Sequence, residues 1–161
     1  MPVPEFSDAL PLRHALATLA YRAAKVLRDV SPGFGSFRAG PTTRTAVQIL
    51  AHMGDLLDCA LTAVNGKTHW HESQPKTWDE EVARFFAAMQ AFDDRLAQGS
   101  LACSPEKIFQ GPIADGLTHV GQLATLRRLA GSGIRGENYF VAEIAAGKVG
   151  SNQPAPIREF D

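Results

Sequence analysis

Two cysteines, Cys59 and Cys103, in 161 residues cannot form the disulfide framework with which small secreted domains compensate for a thin core. A reducing cytoplasm is the expected compartment. An excess of basic charge is also missing. Sixteen Lys and Arg stand against seventeen Asp and Glu, so no broad cationic face is available to displace counterions from phosphates, which argues against a nucleic-acid partner. No unbroken apolar stretch approaches the roughly 20 residues that cross a bilayer. The segment MPVPEFSDALPLRHAL places prolines and charges where a signal peptide needs a basic start and an apolar run, so neither export nor a membrane partner is expected. Internal repeats, low-complexity tracts and strand-like alternation are all lacking.

What is present is an ordinary globular composition, 45% hydrophobic and 20% charged, on a length suited to one compact domain spanning residues 1–161. From Ser7 to Val30 the residues Leu10, Leu16, Leu19, Ala20, Ala23, Val26 and Leu27 recur at steps of three and four, the period of one helix face. SPGFGSFRAGP, with its prolines and glycines, ends that helix. A second helix is expected from the Thr42–Thr45 region to Asn65. Thr45 and Gln48 have capping-box spacing, and Ile49, Met53, Leu56, Ala60 and Ala63 form its inward stripe. After a polar loop, GKTHWHESQPK, a second capping box at Thr77 and Glu80 opens a third helix. Val82, Phe85, Phe86, Met89, Phe92 and Leu96 mark its buried side, and Gly99 ends it. Pro112 suits the first position of a fourth helix running to about Ala130, whose final turn carries Arg127 and Arg128 against the helix dipole. A shorter helix over Asn138 to Ala146 and an irregular tail with Pro154 and Pro156 complete the chain. The pattern predicts an all-α fold, a four-helix bundle with a short extra C-terminal helix.

Periodicity directs His52 of the second helix and His119 of the fourth toward the interior. Asp115 precedes His119 by four residues, so both project from one helix face about a turn apart, the spacing at which two side chains chelate one ion. With His52 across the bundle the three make a candidate site for a divalent cation. Two imidazoles and one carboxylate suit zinc, iron, nickel or manganese, and three protein ligands leave positions for substrate. Plainer readings exist for each residue: a helix histidine is commonly a hydrogen-bonded core or surface group, and an acid in a first turn gains from the dipole alone. His69 and His71 flank Trp70 in the polar loop as solvated histidines or a His-x-His pair. Asp55 and Gln48 are candidate supports for the site or members of a solvated face, as is Asp58. Cys59 reads as a small core residue, Cys103 as a loop thiol with nothing nearby to lower its pKa, and His14 as surface. Phe85 and Met89 read as core that can also floor a pocket.

The segment TTRTAVQILAHMGDLLDCAL, residues 42–61, resembles the second helix of DinB-like proteins, which carries a metal-binding histidine after a capped start. ADGLTHVGQLATLRRLAG, residues 114–131, resembles their fourth helix, where a histidine is followed by x-Gly-Gln, as in His119-Val120-Gly121-Gln122. The likeness extends over most of the chain in helix order, although its specific part is these two motifs. The family pattern has a further histidine four residues before the His-x-Gly-Gln histidine; this chain has Asp115 there.

The resemblance implies an up-and-down bundle of the DinB-like class with His52, Asp115 and His119 as metal ligands. It also implies a metal-dependent transferase that joins a low-molecular-weight thiol cosubstrate to a small-molecule electrophile. A non-catalytic, stress-associated metal- or ligand-binding module is the alternative. A third reading is a homodimer formed through an apolar helix face, compatible with either and not requiring a metal.

Overall fold

The structure, a computed structural model, describes residues 9–160. They are all-helical. Four long helices, α1 (Ala9–Leu27), α2 (Ala46–Val64), α3 (Trp78–Ala97) and α5 (Ala114–Leu129), are joined by a short α4 (Pro105–Ile108) and single turns of tighter or wider helix. No strand occurs among the described residues; an isolated antiparallel bridge pairs Glu137 with Glu159. Ser7 and Asp8, where the first helix is expected to start, lie outside the described residues.

The helices form where apolar period and caps agree. Thr45 Oγ1 accepts the Gln48 N–H at 3.3 Å while Gln48 Oε1 accepts the Thr45 N–H at 2.8 Å, and Thr77 and Glu80 repeat the arrangement at 3.3 and 3.0 Å. Gly66 and Gly99 end α2 and α3 at φ of +80° and +71°, a region costly for side-chain-bearing residues. Helices α1 and α2 each pack against both α3 and α5. Leu16, Leu19, Leu50, Met53, Phe85, Met89, Phe92, Ile113 and Leu123 fill the shared interior.

Two expected stripes need adjustment. In α2 the core takes Leu50, Leu57 and Val64 beside Ile49, Met53 and Ala60, leaving Leu56 and Ala63 half-buried. Packing against two neighbours requires a wider apolar sector than one stripe. In α1, Leu10 is 64% exposed because Leu12 takes the inward position, two residues and about 200° further around the helix. α2 is also apolar and long enough, by length and composition, to cross a membrane, unlike the expectation that no stretch qualifies. Half of its apolar window is buried inside the protein, and it carries His52, Asp55 and Asp58.

The fourth helix starts earlier than Pro112. Ser104 caps the turn at Pro105, and helical backbone then continues through a π turn, Phe109–Ile113, into α5. Pro112 sits inside that π turn. It has no N–H to donate and its ring would crowd the carbonyl four residues earlier, so the widened turn accommodates it. The extra residue rotates everything downstream by about 100°, which sets the face on which Asp115 and His119 project. At Gly116 an added Cβ would lie 2.9 Å from Leu19 Cδ2, so the glycine lets α5 lie close against α1 beside Asp115.

The expected helix over Asn138 to Ala146 is absent; only a 3-10 turn, Tyr139–Val141, forms. Phe140 and Val141 are exposed and offer no face to bury, and so short a helix does not persist without one. The flanking backbone is instead drawn straight: Asn138 N–H donates to Arg158 O at 3.0 Å, and Phe160 N–H to Gly136 O at 2.8 Å. Buried Glu137 accepts from Tyr21 and Lys25 of α1, and Lys25 also holds Glu159 at 2.8 Å. Arg127 likewise serves another helix. It donates to Val26 O and Arg28 O at 3.1 and 2.7 Å, satisfying the C-terminal carbonyls of α1 as well as Ser132 O of its own turn.

Candidate metal centre

Helices α2 and α5 bring His52, Asp115 and His119 together, with one donor atom of each within 4.8 Å of the others. Asp115 Oδ2 lies 3.8 Å from His52 Nε2 and 3.5 Å from His119 Nε2, and the two imidazole rings meet edge-on with centroids 4.8 Å apart. Donors about 2.1 Å from a common ion at tetrahedral angles stand about 3.4 Å apart, so these separations match a shared cation better than direct hydrogen bonds. The dipole explanation for Asp115 loses force, because helical backbone extends back to Pro105 and Asp115 is not at a free N-terminus.

The condition of His119 bears most directly on a ligand. The residue is only 8% exposed, and its Nε2 is buried with no hydrogen-bond partner among the described residues. On the other edge of the ring Nδ1 meets Gln122 Oε1 at 2.8 Å. A carbonyl oxygen only accepts, so Nδ1 carries a proton, and in that tautomer of the ring Nε2 is the atom left to present a lone pair toward Asp115 and His52. An unused buried acceptor is unfavourable by itself and correct for a cation. His52 is half-buried. Burial, then the charge of Arg44 and the neighbouring His119, lower its pKa against the opposing pull of Asp115 and Asp55, which keeps the ring in its neutral, ligating form. Among the described residues, then, the donor set fits a divalent ion.

Gln122→Ala should leave the fold intact, since the side chain is exposed, yet weaken zinc binding by about 10–100-fold in a competition titration against a chromophoric chelator. Gln122→Glu should retain tight binding. Unchanged affinity in the alanine variant would show that the amide does not orient the ring.

A second acidic group, Asp55, Asp58 and His71, also meets the spacing for a cation, but it already contains one. The Arg84 guanidinium from α3 reaches Asp55 Oδ1 and Asp58 Oδ2, the latter at 2.8 Å, with Glu81 at 3.3 Å. Gly54 makes this possible: a Cβ there would lie 2.9 Å from Arg84 Nη1, which donates to Ala51 O. Burial would lower the pKa of Arg84, yet its acidic partners raise it overall. Asp55 is therefore withdrawn from water and makes no hydrogen bond to the imidazoles of the first site, although its charge still acts on His52. It accepts the Ser73 N–H and hydroxyl at 2.8 and 2.7 Å, and His71 lies 3.2 Å away. Loop 66–76, read from sequence as a polar loop, is tied to α2 through this carboxylate. The tie places Trp70 edge-on to His52, centroids 5.5 Å apart, as one wall of the site.

Of the remaining candidates, Gln48 spends its carbonyl on the α2 cap, and His69 and His71 do not converge, with exposed rings 6.3 Å apart. Cys59 and Cys103 are half-buried and free, and burial pushes both thiols up in pKa. Arg84, Trp70 and Arg44 were not singled out by the sequence. Arg84 lies among the polar positions of α3 with nothing to mark it, whereas Trp70 between two histidines was visible as an odd residue in a polar loop. The chain matches no protein-family model, no curated protein and no solved structure.

Proposed function

We propose that this chain is a DinB-like four-helix bundle in which His52, Asp115 and His119 hold one divalent ion, and that it acts as a metal-dependent transferase joining a small thiol to an electrophile. The observation that carries the metal is the partnerless, buried His119 Nε2 set beside Asp115 and His52. The assignment to the DinB-like class and to thiol chemistry rests on the two helix motifs, and the role of Gln122 beside His119 supports it.

Each residue has a task in that reading. Gln122 fixes the His119 tautomer, Trp70 shields one side of His52, and the half-exposed Asp115 keeps the site open to solvent and substrate. A divalent ion held by three protein donors would stabilise the thiolate of a thiol presented to it at neutral pH. The thiol proton leaves to solvent, the sulfur forms a bond to the electrophilic carbon, and the leaving group departs with the electron pair of the bond that breaks. Neither of the chain's own thiols belongs to the donor set or lines the adjoining cleft, and burial raises the pKa of both, which favours an external thiol. In this reading the nucleophile is a separate molecule.

Protein purified without an affinity tag and loaded with zinc, nickel, manganese or iron(II) should accelerate conjugation of a small thiol to chlorodinitrobenzene, and EDTA should abolish the acceleration. Stoichiometric metal with no acceleration for any thiol tried would overturn the transferase and leave a metal-binding module.

A further inference from the structure

Beside the candidate centre a cleft opens between the first turns of α2 and residues 72–75, lined by Arg44, Gln48, His52, Asp55, Glu72 and Ser73 among others. His52 is common to both, so the cleft adjoins the candidate centre. The polar groups of the cleft differ in whether they are already used. Asp55 is committed to Ser73 and Arg84. Gln48 Oε1 accepts the Thr45 N–H, which fixes the amide and leaves its Nε2 hydrogens without a protein partner among the described residues. Arg44 is exposed and its side chain forms no ion pair or hydrogen bond among the described residues, as is also true of Arg28 and Arg158, whereas Arg13, Arg84, Arg95 and Arg127 are each tied to carboxylates or carbonyls.

We infer that Arg44 and Gln48 form the seat for a carboxylate of the substrate, whose other end reaches the ion beyond His52. Arg44 lies in the segment just before the extended cap residue Thr45 and Gln48 in the first turn of α2, and both line the cleft, so the guanidinium and the amide can serve one ligand at the start of α2. A guanidinium presents parallel N–H groups that match the two oxygens of a carboxylate, and the helix N-terminus adds favourable potential. Glu72 sets the limit. With Asp55 neutralised it is the acid in the cleft that has no partner among the described residues, and it opposes a phosphate dianion more than a carboxylate monoanion. The proposed substrate is therefore a small monocarboxylate carrying its reactive group a few bonds away. This rests on the metal reading above for the identity of the far end, but not for the carboxylate seat.

The two are separable by experiment. Cobalt(II)-loaded protein is titrated with mercaptopropionate and, separately, with mercaptopropanol, and the sulfur-to-cobalt charge-transfer band gives each affinity. Wild-type protein should bind the carboxylate probe about tenfold more tightly, as expected for one charge-assisted pair. Arg44→Gln should bring the two within about twofold, and Arg44→Lys should keep part of the preference because charge remains without the fork. Equal binding of both probes by wild-type protein overturns the seat and leaves the metal centre standing. If cobalt does not bind, the metal reading falls and the seat is read in metal-free protein from the Arg44 Nε–H NMR signal. A saturable shift with mercaptopropionate, and none with inorganic phosphate at equal concentration, supports it; no shift with mercaptopropionate overturns it.

Discussion

His119→Ala is expected to remove metal binding and any metal-dependent activity together, with the helices intact. Structural zinc sites contribute roughly 10–16 kcal/mol over all their ligands, so losing one of three protein donors should weaken affinity by at least about a hundredfold. The stability change distinguishes this from simple damage to the core. In metal-free protein the substitution removes an imidazole whose Nε2 has no partner, which offsets part of the loss of packing. Added zinc, by contrast, should raise the melting temperature of wild-type protein by roughly 5–10 °C at a hundredfold excess over Kd and leave the variant unmoved. Calorimetry with and without zinc, beside elemental analysis, checks both. A variant with full metal content would show that His119 is not a ligand.

How far this centre was legible depends on which interactions are local in the chain. Helix caps are local. Thr45 with Gln48 and Thr77 with Glu80 satisfy each other within four residues, so their spacing alone places the starts of α2 and α3. The pair Asp115 and His119 is local in the same sense, one turn on one face, and His52 followed from the apolar period around it. The start of the fourth helix was misplaced because two signals compete there. Pro112 resembles a first-turn proline, but Ser104-Pro105 is the true cap and proline pair, and a π turn absorbs the later proline. The expected C-terminal helix failed for a non-local reason: Glu137 is held by Tyr21 and Lys25 more than a hundred residues away, and no window along the chain contains that information. The wall of the site was hidden in the same way. Arg84 looks like any solvated helix arginine until α3 lies on α2 at Gly54, and only then does the polar loop acquire its anchor.

That anchor should be the second most sensitive point of the molecule, and Asp55→Ala tests it. The side chain is 2% exposed and holds the Arg84 guanidinium together with two hydrogen bonds from Ser73. Breaking a fully buried pair costs about 3–5 kcal/mol; here Arg84 keeps Asp58 and Glu81 and is itself partly exposed, so a loss of about 2–3 kcal/mol is expected at neutral pH. Burial works to raise the pKa of Asp55, but the bonds from Ser73 and the charge of Arg84 outweigh it, and the folded-state pKa lies below the ordinary 3.8. A depressed carboxylate pKa contributes stability that is fully present above the unfolded-state value and fades as pH falls through the folded-state value. Urea unfolding should therefore show the gap between wild-type and variant narrowing below about pH 4. A gap of equal size at neutral and strongly acidic pH would mean that packing, not charge, ties the loop. The same variant should free residues 66–76, seen as faster tryptic cleavage after the exposed Lys67 and Lys76. It should also weaken zinc binding although no ligand has changed, because Trp70 leaves the face of His52 once Ser73 loses its acceptor. Loop release without any change in zinc affinity would separate the wall from the centre and restrict Asp55 to a structural role.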